Sequence, residues 1–196
     1  MIVLDVETTG TDPLKHSLVS IGAIDFLKPE REFYQECRIW DGAHIMDEAL
    51  TVNGMTQDQI RDPKKKSEGQ IITEFLEWLN QSEEKTIAGQ NPFFDVSFIY
   101  SGAARNGADA KISRRIIDQH SVCWYHMKRR GLTPPLRDGK TDLNSDVIME
   151  YVGIPVEPKP HIALNGAKWE VEAFSRLIHD KNLLPQFKDF PIPWIA

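Results

Sequence analysis

Two carboxylates near the start of the chain have the residue types and spacing that catalysis uses. Asp5 and Glu7 follow the apolar run Ile2-Val3-Leu4 and precede a turn at Thr8-Thr9-Gly10. Side chains alternate between the two faces of a strand, so Asp5 and Glu7 share one face, roughly 6 to 7 Å apart at Cα. Carboxylates held this close share a proton, meet a basic partner or bind a hard divalent cation. On this pattern alone, two acids that merely end a strand beside a turn are an equally good interpretation.

Two later stretches carry further residues of the kinds found in catalytic sites. Asn91 to Asp95 leads into a helical pattern, where Asp95 acts either at a site or as an ordinary helix cap. We expect Asn91 to bond the backbone at this turn, and Phe94 to wall a core or pocket or to stack on a terminal base. His161 follows three prolines; a neutral imidazole accepts protons near pH 7, although an exposed loop histidine gives the same pattern.

Alternating strands and helices must position these side chains. Apolar runs predict five strands. The first extends from residue 2 to the turn at 8–10, and the others cover 18–26, 32–40, 86–89 and 115–118, with a hairpin loop at 28–30. Cap residues and helical periodicity predict helices over 47–52, from 56 to before 63, from 67 to about 79, over 96–103, over 119–130, from 142 or 144 to 151, and over 163–179. Residues 131–140 are predicted to form a loop.

Composition narrows the class of protein. With 196 residues, of which 41% are hydrophobic and 27% charged, the chain has the size and balance of one globular domain. No apolar run approaches the roughly 20 residues of a membrane helix, and only Cys37 and Cys123 are present, so we expect a cytoplasmic protein with no membrane partner. A formal charge of −6 argues against non-specific wrapping of nucleic acid, but not against gripping a strand end through metal ions.

Taken together, three stretches resemble the motifs of the DEDDh 3′-to-5′ exonuclease family, which contains ribonuclease T and the proofreading subunit of bacterial DNA polymerase III. They are Asp5-Val6-Glu7 with the turn after it, Asn91 to Asp95, and His161-Ile162-Ala163-Leu164-Asn165-Gly166. The resemblance extends over residues 1–181 and includes the order and spacing of the motifs as well as their residues.

The resemblance implies an α/β, ribonuclease H-like fold, a five-stranded mixed sheet flanked by helices. It also implies hydrolysis of phosphodiester bonds at 3′ ends of single-stranded DNA or RNA, with release of nucleoside monophosphates and two Mg²⁺ or Mn²⁺ ions per site. On this chain Asp5 would bridge the ions, Glu7 would bind the ion that holds the attacking water, and Asp95 would bind or orient the second ion. His161 would take the proton of that water.

The same resemblance implies that the nucleic acid is contacted around the first turn and the second motif, by Thr8, Thr9, Gly10, Asn91 and Phe94. It suggests two kinds of protein partner, a second copy of the chain in a homodimer or a polymerase or helicase. Residues 1–181 are interpreted as the exonuclease domain. Residues 182–196 are interpreted as a proline-rich tail that packs on this domain or on a partner.

One position departs from the family pattern. The fourth metal-binding carboxylate of the family is expected at position 166, where this chain has Gly166. Glu170 lies one helical turn further on, and helical side chains lean back toward the N-terminus, so we predict that Glu170 partly substitutes, with Asn165 or water completing the shell. The alternative is a catalytically impaired module that binds nucleic acid ends or a protein partner.

Overall fold

The computed structural model describes residues 1–195, which form a mixed β-sheet with helices on both faces. The strands are β1 Ile2–Thr8, β2 Leu18–Asp25, β3 Lys28–Arg38, β4 Lys66–Ser67, β5 Ile87–Gly89, β6 Ile117–Asp118, β7 Leu136–Arg137 and β8 Lys140–Thr141. The helices are α1 Asp47–Asn53, α2 Gln57–Arg61, α3 Glu68–Asn80, α4 Pro92–Arg105, α5 Gln119–Arg129, α6 Ser145–Val152 and α7 Ala163–His179, followed by a 3₁₀ turn at Pro185–Phe187. In this part of the chain no helix is both long and apolar enough to cross a membrane.

The main sheet has the strand order β4-β3-β2-β1-β5-β6, with β1, β2 and β3 antiparallel and β1, β5 and β6 parallel. The predicted ribonuclease H-like α/β fold is therefore confirmed, with six strands in place of five. The additional strand, β4, pairs only Lys66 and Ser67 with the end of β3. Two polar residues at a sheet edge carry no apolar pattern that a sequence interpretation would detect.

The hairpin between β2 and β3 is tighter than predicted. The loop expected at 28–30 is wrong, since β3 begins at Lys28, which pairs with Asp25, and the turn lies at residues 26–27. Pro29 is tolerated inside the strand because β4 covers only the far end of β3, so this part is a sheet edge where a missing N–H costs no ladder bond. Residues 131–140 likewise differ from a simple loop, because β7 and β8 form a hairpin around Asp138 and Gly139, both at positive φ.

The two faces of β1 belong to two hydrophobic cores. Leu4 packs in one core with side chains of α3 and α4, whereas Val3 packs in the other with α5, α6 and α7. Because side chains alternate, Asp5 and Glu7 share the face of Val3 and point toward the α7 layer. The parallel strands β1, β5 and β6 end on the same edge, where α4 and α5 begin.

The residues after α7 pack against the second core. Phe187 is buried there, and the buried Arg176 donates hydrogen bonds to the carbonyl oxygens of Phe187 and Phe190 at 3.1 and 3.0 Å. Arg176 Nε also donates to Glu172 at 2.8 Å, and the second oxygen of Glu172 accepts the Leu184 N–H at 2.8 Å. This buried pair attaches the tail to α7. The division of the chain at residue 181 stays a prediction.

Candidate active site

Asp5 and Glu7 lie near the C-terminal end of β1, partly buried, at the edge where α4 and α7 approach the sheet. Asp5 pairs in register with Gly22 of the neighbouring strand β2. A Cβ on Gly22 would overlap the backbone of Ala163 and Leu164, the first residues of α7. Gly22 therefore lets the start of α7 rest directly on the sheet beside Asp5, and this brings the third motif to the first.

Asp95 comes to the same place from the opposite helical layer. The interpretation of Asp95 as the cap of a helix starting at Val96 is wrong, because α4 begins at Pro92 and Asp95 lies within its first turn. Its Oδ1 accepts a hydrogen bond from the backbone N–H of Val6 at 3.0 Å. Val6 lies between Asp5 and Glu7 on β1. This single hydrogen bond holds the carboxyl group of Asp95 against the acidic strand end.

Glu170 reaches toward the acids from α7, as its predicted role requires. Its side chain is buried, and a Cβ on Gly89 of β5 would lie 3.2 Å from its Oε2 and 2.8 Å from the carbonyl oxygen of Leu4. Oε2 of Glu170 is buried and has no hydrogen-bond partner. A carboxylate oxygen without a partner is costly inside a protein, so this position suits a ligand to a cation.

Burial and mutual repulsion raise the pKa values of the acids in this site. Burial, and then the neighbouring Glu170 and Asp95, raise the pKa of Asp5 well above its usual range. Burial raises the pKa of Asp95 to about 7, while burial followed by the charge of Glu157 raises the pKa of Glu7 to about 8. Burial and then Asp95 raise the pKa of Glu170. A divalent cation would relieve this repulsion by favouring the charged carboxylates.

The acids suit a hard divalent cation, which prefers carboxylate oxygens. In residues 1–195 no lysine or arginine forms a salt bridge with Asp5, Glu7, Asp95 or Glu170, so all four remain available to a cation. Over the same residues, however, no three His, Cys, Asp or Glu side chains are arranged closely enough to hold one ion as they stand. A cation held by three of these carboxylates would therefore require the side chains to move from the positions seen here.

His161 lies at the entrance to α7, beside a groove that leads to Glu7. Its backbone N–H donates to the carbonyl oxygen of Val52 at 3.0 Å, and Val52 and Glu7 line the same groove, about 300 Å³ in volume. The imidazole is partly exposed, with Nδ1 3.7 Å from Oε2 of Glu157. Burial and the charge of Lys159 lower the pKa of His161, which keeps the ring neutral near pH 7.

The residues predicted to contact nucleic acid divide into two groups. Thr9 is fully buried, and its hydroxyl donates to the carbonyl oxygen of His44 at 2.7 Å and accepts the Ser17 N–H at 3.0 Å, so it holds the turn together. The Thr8 hydroxyl donates to the carbonyl oxygen of Gly10 at 2.7 Å. The predicted nucleic acid contact of Thr9 is therefore wrong, because Thr9 has no exposed surface, and Thr8 keeps only 8% of its surface exposed.

Phe94 and Asn91 are placed differently. Phe94 lines the groove beside Glu7 and packs on Phe98 at 4.9 Å between ring centroids. The expectation that Asn91 bonds the turn through its side chain is wrong, because that side chain makes no cap hydrogen bond. Asn91 instead occupies the left-handed region at φ 55°, which asparagine tolerates better than most residues, and its N–H donates to Oδ1 of Asp118 at 3.2 Å.

Two residues important for the site were missed by the sequence interpretation. Glu157 is the carboxylate whose charge most affects Glu7, and burial raises its own pKa to about 7. Its position in a proline-rich segment, four residues before His161, was the only available signal. Gly22, which permits the close approach of α7, looked like an ordinary small residue in an apolar strand.

Comparisons with known proteins match this chain to one family. A family model described as exonuclease, RNase_T, matches residues 2–174. Ribonuclease T of Haemophilus influenzae is 28% identical over 121 residues, which are 54% of this chain and 52% of that protein. A DNA polymerase III PolC-type protein of Thermotoga maritima is 30% identical over 98 residues, 50% of this chain and 7% of that protein. The chain thus spans about half the length of its ribonuclease T relatives.

Solved structures show the same fold at low sequence identity. The nuclease domain of 3′hExo, a DEDDh family member bound to rAMP, superposes with a TM-score of 0.70 at 17% identity and covers 92% of both chains. Exonuclease I of E. coli in complex with a dA16 oligonucleotide gives a TM-score of 0.69 at 17% identity, covering 91% of this chain and 41% of that one. With the family match over most of its length, the chain belongs to the RNase_T exonuclease family.

Proposed function

We propose that this protein is a metal-dependent 3′-to-5′ exonuclease that removes nucleoside monophosphates from the 3′ ends of single-stranded DNA or RNA. The observation that carries the proposal is the meeting of Asp5, Glu7, Asp95 and Glu170 at one sheet edge without a basic partner. A buried oxygen of Glu170 that lacks a hydrogen bond adds to this support. Such a set of acids is unfavourable unless protons or cations neutralise it.

Each residue has a distinct part in the proposed reaction. Asp5, Glu7, Asp95 and Glu170 would hold Mg²⁺ or Mn²⁺, two ions per site, whose contribution when bound is to offset charge on the attacking and leaving oxygens. The hydrogen bond from the Val6 N–H holds the Asp95 carboxyl group beside the acids of β1. His161, neutral near pH 7, would accept the proton of the attacking water.

Glu170 is proposed to take the place of the carboxylate that Gly166 lacks. A Cβ on Gly166 would lie 2.8 Å from Cγ of Asp5, so the space at residue 166 is already filled by the Asp5 carboxyl group. An aspartate at 166 would therefore displace Asp5, whereas Glu170 approaches from the following turn of α7 without this conflict.

The substrate is proposed to enter through the groove lined by Glu7, Val52 and Phe94. Its largely apolar wall suits the face of a terminal base, and Phe94 offers a ring on which a base can stack. Stacking tolerates any base, which agrees with an enzyme that removes nucleotides without regard to sequence. Thr8 and Gly10 line this groove and, with the exposed Asn91 before α4, are proposed to contact the sugar and phosphate, whereas the fully buried Thr9 supports the turn.

The proposal is tested with one single-stranded oligonucleotide, as DNA and as RNA, labelled at its 3′ or its 5′ end and incubated with Mg²⁺ or Mn²⁺. A 3′-to-5′ exonuclease releases the 3′ label at once as a mononucleotide and gives a descending ladder from the 5′ label. Asp5→Asn should abolish both patterns, while Glu150→Gln, an exposed site on α6, should leave them unchanged. Release of the 5′ label first would contradict the direction of degradation.

Gly166 supports a second candidate, a module with impaired catalysis that holds a nucleic acid end or a protein. In the same assay this module would leave the oligonucleotide intact but would retard it on a native gel. Loss of retardation in Phe94→Ala would then assign binding to the groove beside Glu7. Cleavage that depends on Asp5 excludes this candidate.

Partners and location are also proposals. The PolC-type relatives of this protein support association with a polymerase. A helicase complex and a homodimer are the other proposed assemblies, and sizing by light scattering distinguishes the homodimer from the monomer. A cytoplasmic location is supported by Cys37 and Cys123, both free and buried, because a reducing compartment keeps such thiols unpaired.

A further inference from the structure

Glu157 and His161 face each other across a short segment that contains two prolines. Oε2 of Glu157 lies 3.7 Å from Nδ1 of His161, and the two side chains are 12% and 33% exposed. Pro158 and Pro160 lie between them and restrict the backbone of this segment. The pair is thus held together by chain geometry and is partly shielded from water.

Both members of the pair are anchored to neighbouring elements. Oε1 of Glu157 accepts the N–H of Ile162 at 3.4 Å, at the N-terminus of α7. The backbone N–H of His161 donates to the carbonyl oxygen of Val52 in α1 at 3.0 Å. A Cβ on Gly54 would lie 2.5 Å from Cβ of Pro160, so this segment also packs closely against the end of α1. These contacts fix the segment from two sides.

We propose that Glu157 is a positioning residue for His161: it accepts the Nδ1–H and leaves Nε2 free to take a proton. This inference rests on the proposed function, in which His161 is the base. In water the Nε2–H form of a neutral imidazole predominates, and that form offers no acceptor at Nε2. A carboxylate behind Nδ1 reverses the preference and stabilises the imidazolium that forms.

The proton and electron balance is simple. The water proton moves to Nε2 of His161 while the electron pair of its O–H bond stays on oxygen, which forms the new bond to phosphorus. The bond to the leaving 3′ oxygen breaks and its electron pair departs with that oxygen. The Nδ1 proton remains between His161 and Glu157. The present 3.7 Å exceeds a hydrogen bond, and catalytic contacts of this kind shorten when substrate is bound.

Other charged groups affect the pKa of His161 but do not lie close enough to accept its Nδ1–H. Lys159, next but one in the chain, lowers the pKa of His161, whereas Asp146 of α6 raises it, and both are exposed. Among residues 1–195, Glu157 is the only carboxylate at ion-pair distance from the ring. The charge of Glu157 also raises the pKa of Glu7 and, more weakly, that of Asp5, so this part of the chain lies near the acids on β1.

The test measures the tautomer of His161 directly, by ¹⁵N-detected correlation spectra of the imidazole rings in the full chain. The signals of His161 are identified by their absence from the spectrum of His161→Gln. We expect the Nδ1–H form of His161 in the native protein, the Nε2–H form in Glu157→Ala, and the native form in Glu157→Gln, whose amide oxygen still accepts. Glu150→Gln, on the exposed side of α6, serves as the matched control. An Nε2–H ring in the native protein, or an unchanged ring in Glu157→Ala, overturns the proposal.

Kinetics and metal binding provide a second test of the positioning role of Glu157. Glu157→Ala should lower kcat by about 10- to 100-fold with KM unchanged, and Glu157→Gln should recover part of this loss. The number of bound Mn²⁺ ions, measured by calorimetry, should be unchanged in both variants, and loss of a bound ion would make Glu157 a ligand and overturn its positioning role. If the native protein cleaves nothing, the exonuclease proposal fails, but the tautomer measurement still decides the pairing.

Discussion

Replacement of Gly166 by alanine should separate activity from stability. Gly166 lies in the first turns of α7, and a Cβ there would lie 2.8 Å from Cγ of Asp5 and closer still to its Oδ2. Ordinary contact begins at 3.4 Å, so this carbon must retreat by about 0.6 Å and the nearer oxygen by about 1 Å. A displacement of about 1 Å in a catalytic group costs on the order of 100-fold in rate.

The expected effect on stability is much smaller, because two contributions oppose each other. Alanine is favoured over glycine inside a helix by about 1 kcal/mol, whereas overpacking a buried site costs about 1 to 3 kcal/mol. The net loss is therefore at most about 2 kcal/mol, which lowers the Tm of a protein of this size by no more than about 8 °C. Gly166→Ala should remain folded at 25 °C and yet lose kcat/KM by about 100-fold.

The assay is single-turnover cleavage of a 5′-labelled oligonucleotide, with thermal unfolding measured on the same samples. Gly102→Ala is the matched control, since its Cβ would lie 2.5 Å from Cδ1 of Ile72, an equally crowded helical site in the other core. This control should lose stability while its folded fraction keeps native activity. A folded Gly166→Ala protein with native kcat/KM would refute the reasoning, because Asp5 would then not need its observed position.

The buried acids should make the stability of the metal-free protein depend on pH. Burial raises the pKa of Asp95 from 3.8 to about 7 and that of Glu7 from 4.5 to about 8, so stabilisation that is fully present below about pH 4 should be lost progressively as pH rises from about 4 to 8. Unfolding in EDTA over this range measures the loss, and a flat profile contradicts it. Glu170→Gln replaces a carboxyl group whose ionisation burial disfavours, so it should raise Tm in EDTA and weaken Mn²⁺ binding, and unchanged affinity in calorimetry excludes Glu170 as a ligand. Arg176→Met leaves Glu172 buried without its cation and should lower the free energy of unfolding by about 3 to 5 kcal/mol in urea titrations; a native midpoint would contradict the anchoring of the tail.

Local signals in the sequence predicted most of the secondary structure because they act over short distances. Thr56 forms a capping box and Ser67 caps α3, as predicted, and α7 spans Ala163 to His179 as its periodicity indicated. The prediction failed where a neighbour decides the outcome. Pro29 looked like a loop residue, but it lies in β3 because no strand covers that edge.

The sequence by itself determined the family, since the three motifs and their order are properties of the amino-acid sequence. It also determined that Asp5 and Glu7 share a face of one strand. Only the tertiary structure decided how residues far apart in sequence meet: Asp95 bonds the Val6 N–H, and Glu170 approaches Gly89. Only the structure showed that Asp5 fills the space at Gly166. The physical reason is that alternation and periodicity are properties of one segment, whereas the contact between α7 and β2 depends on the absence of a side chain at Gly22.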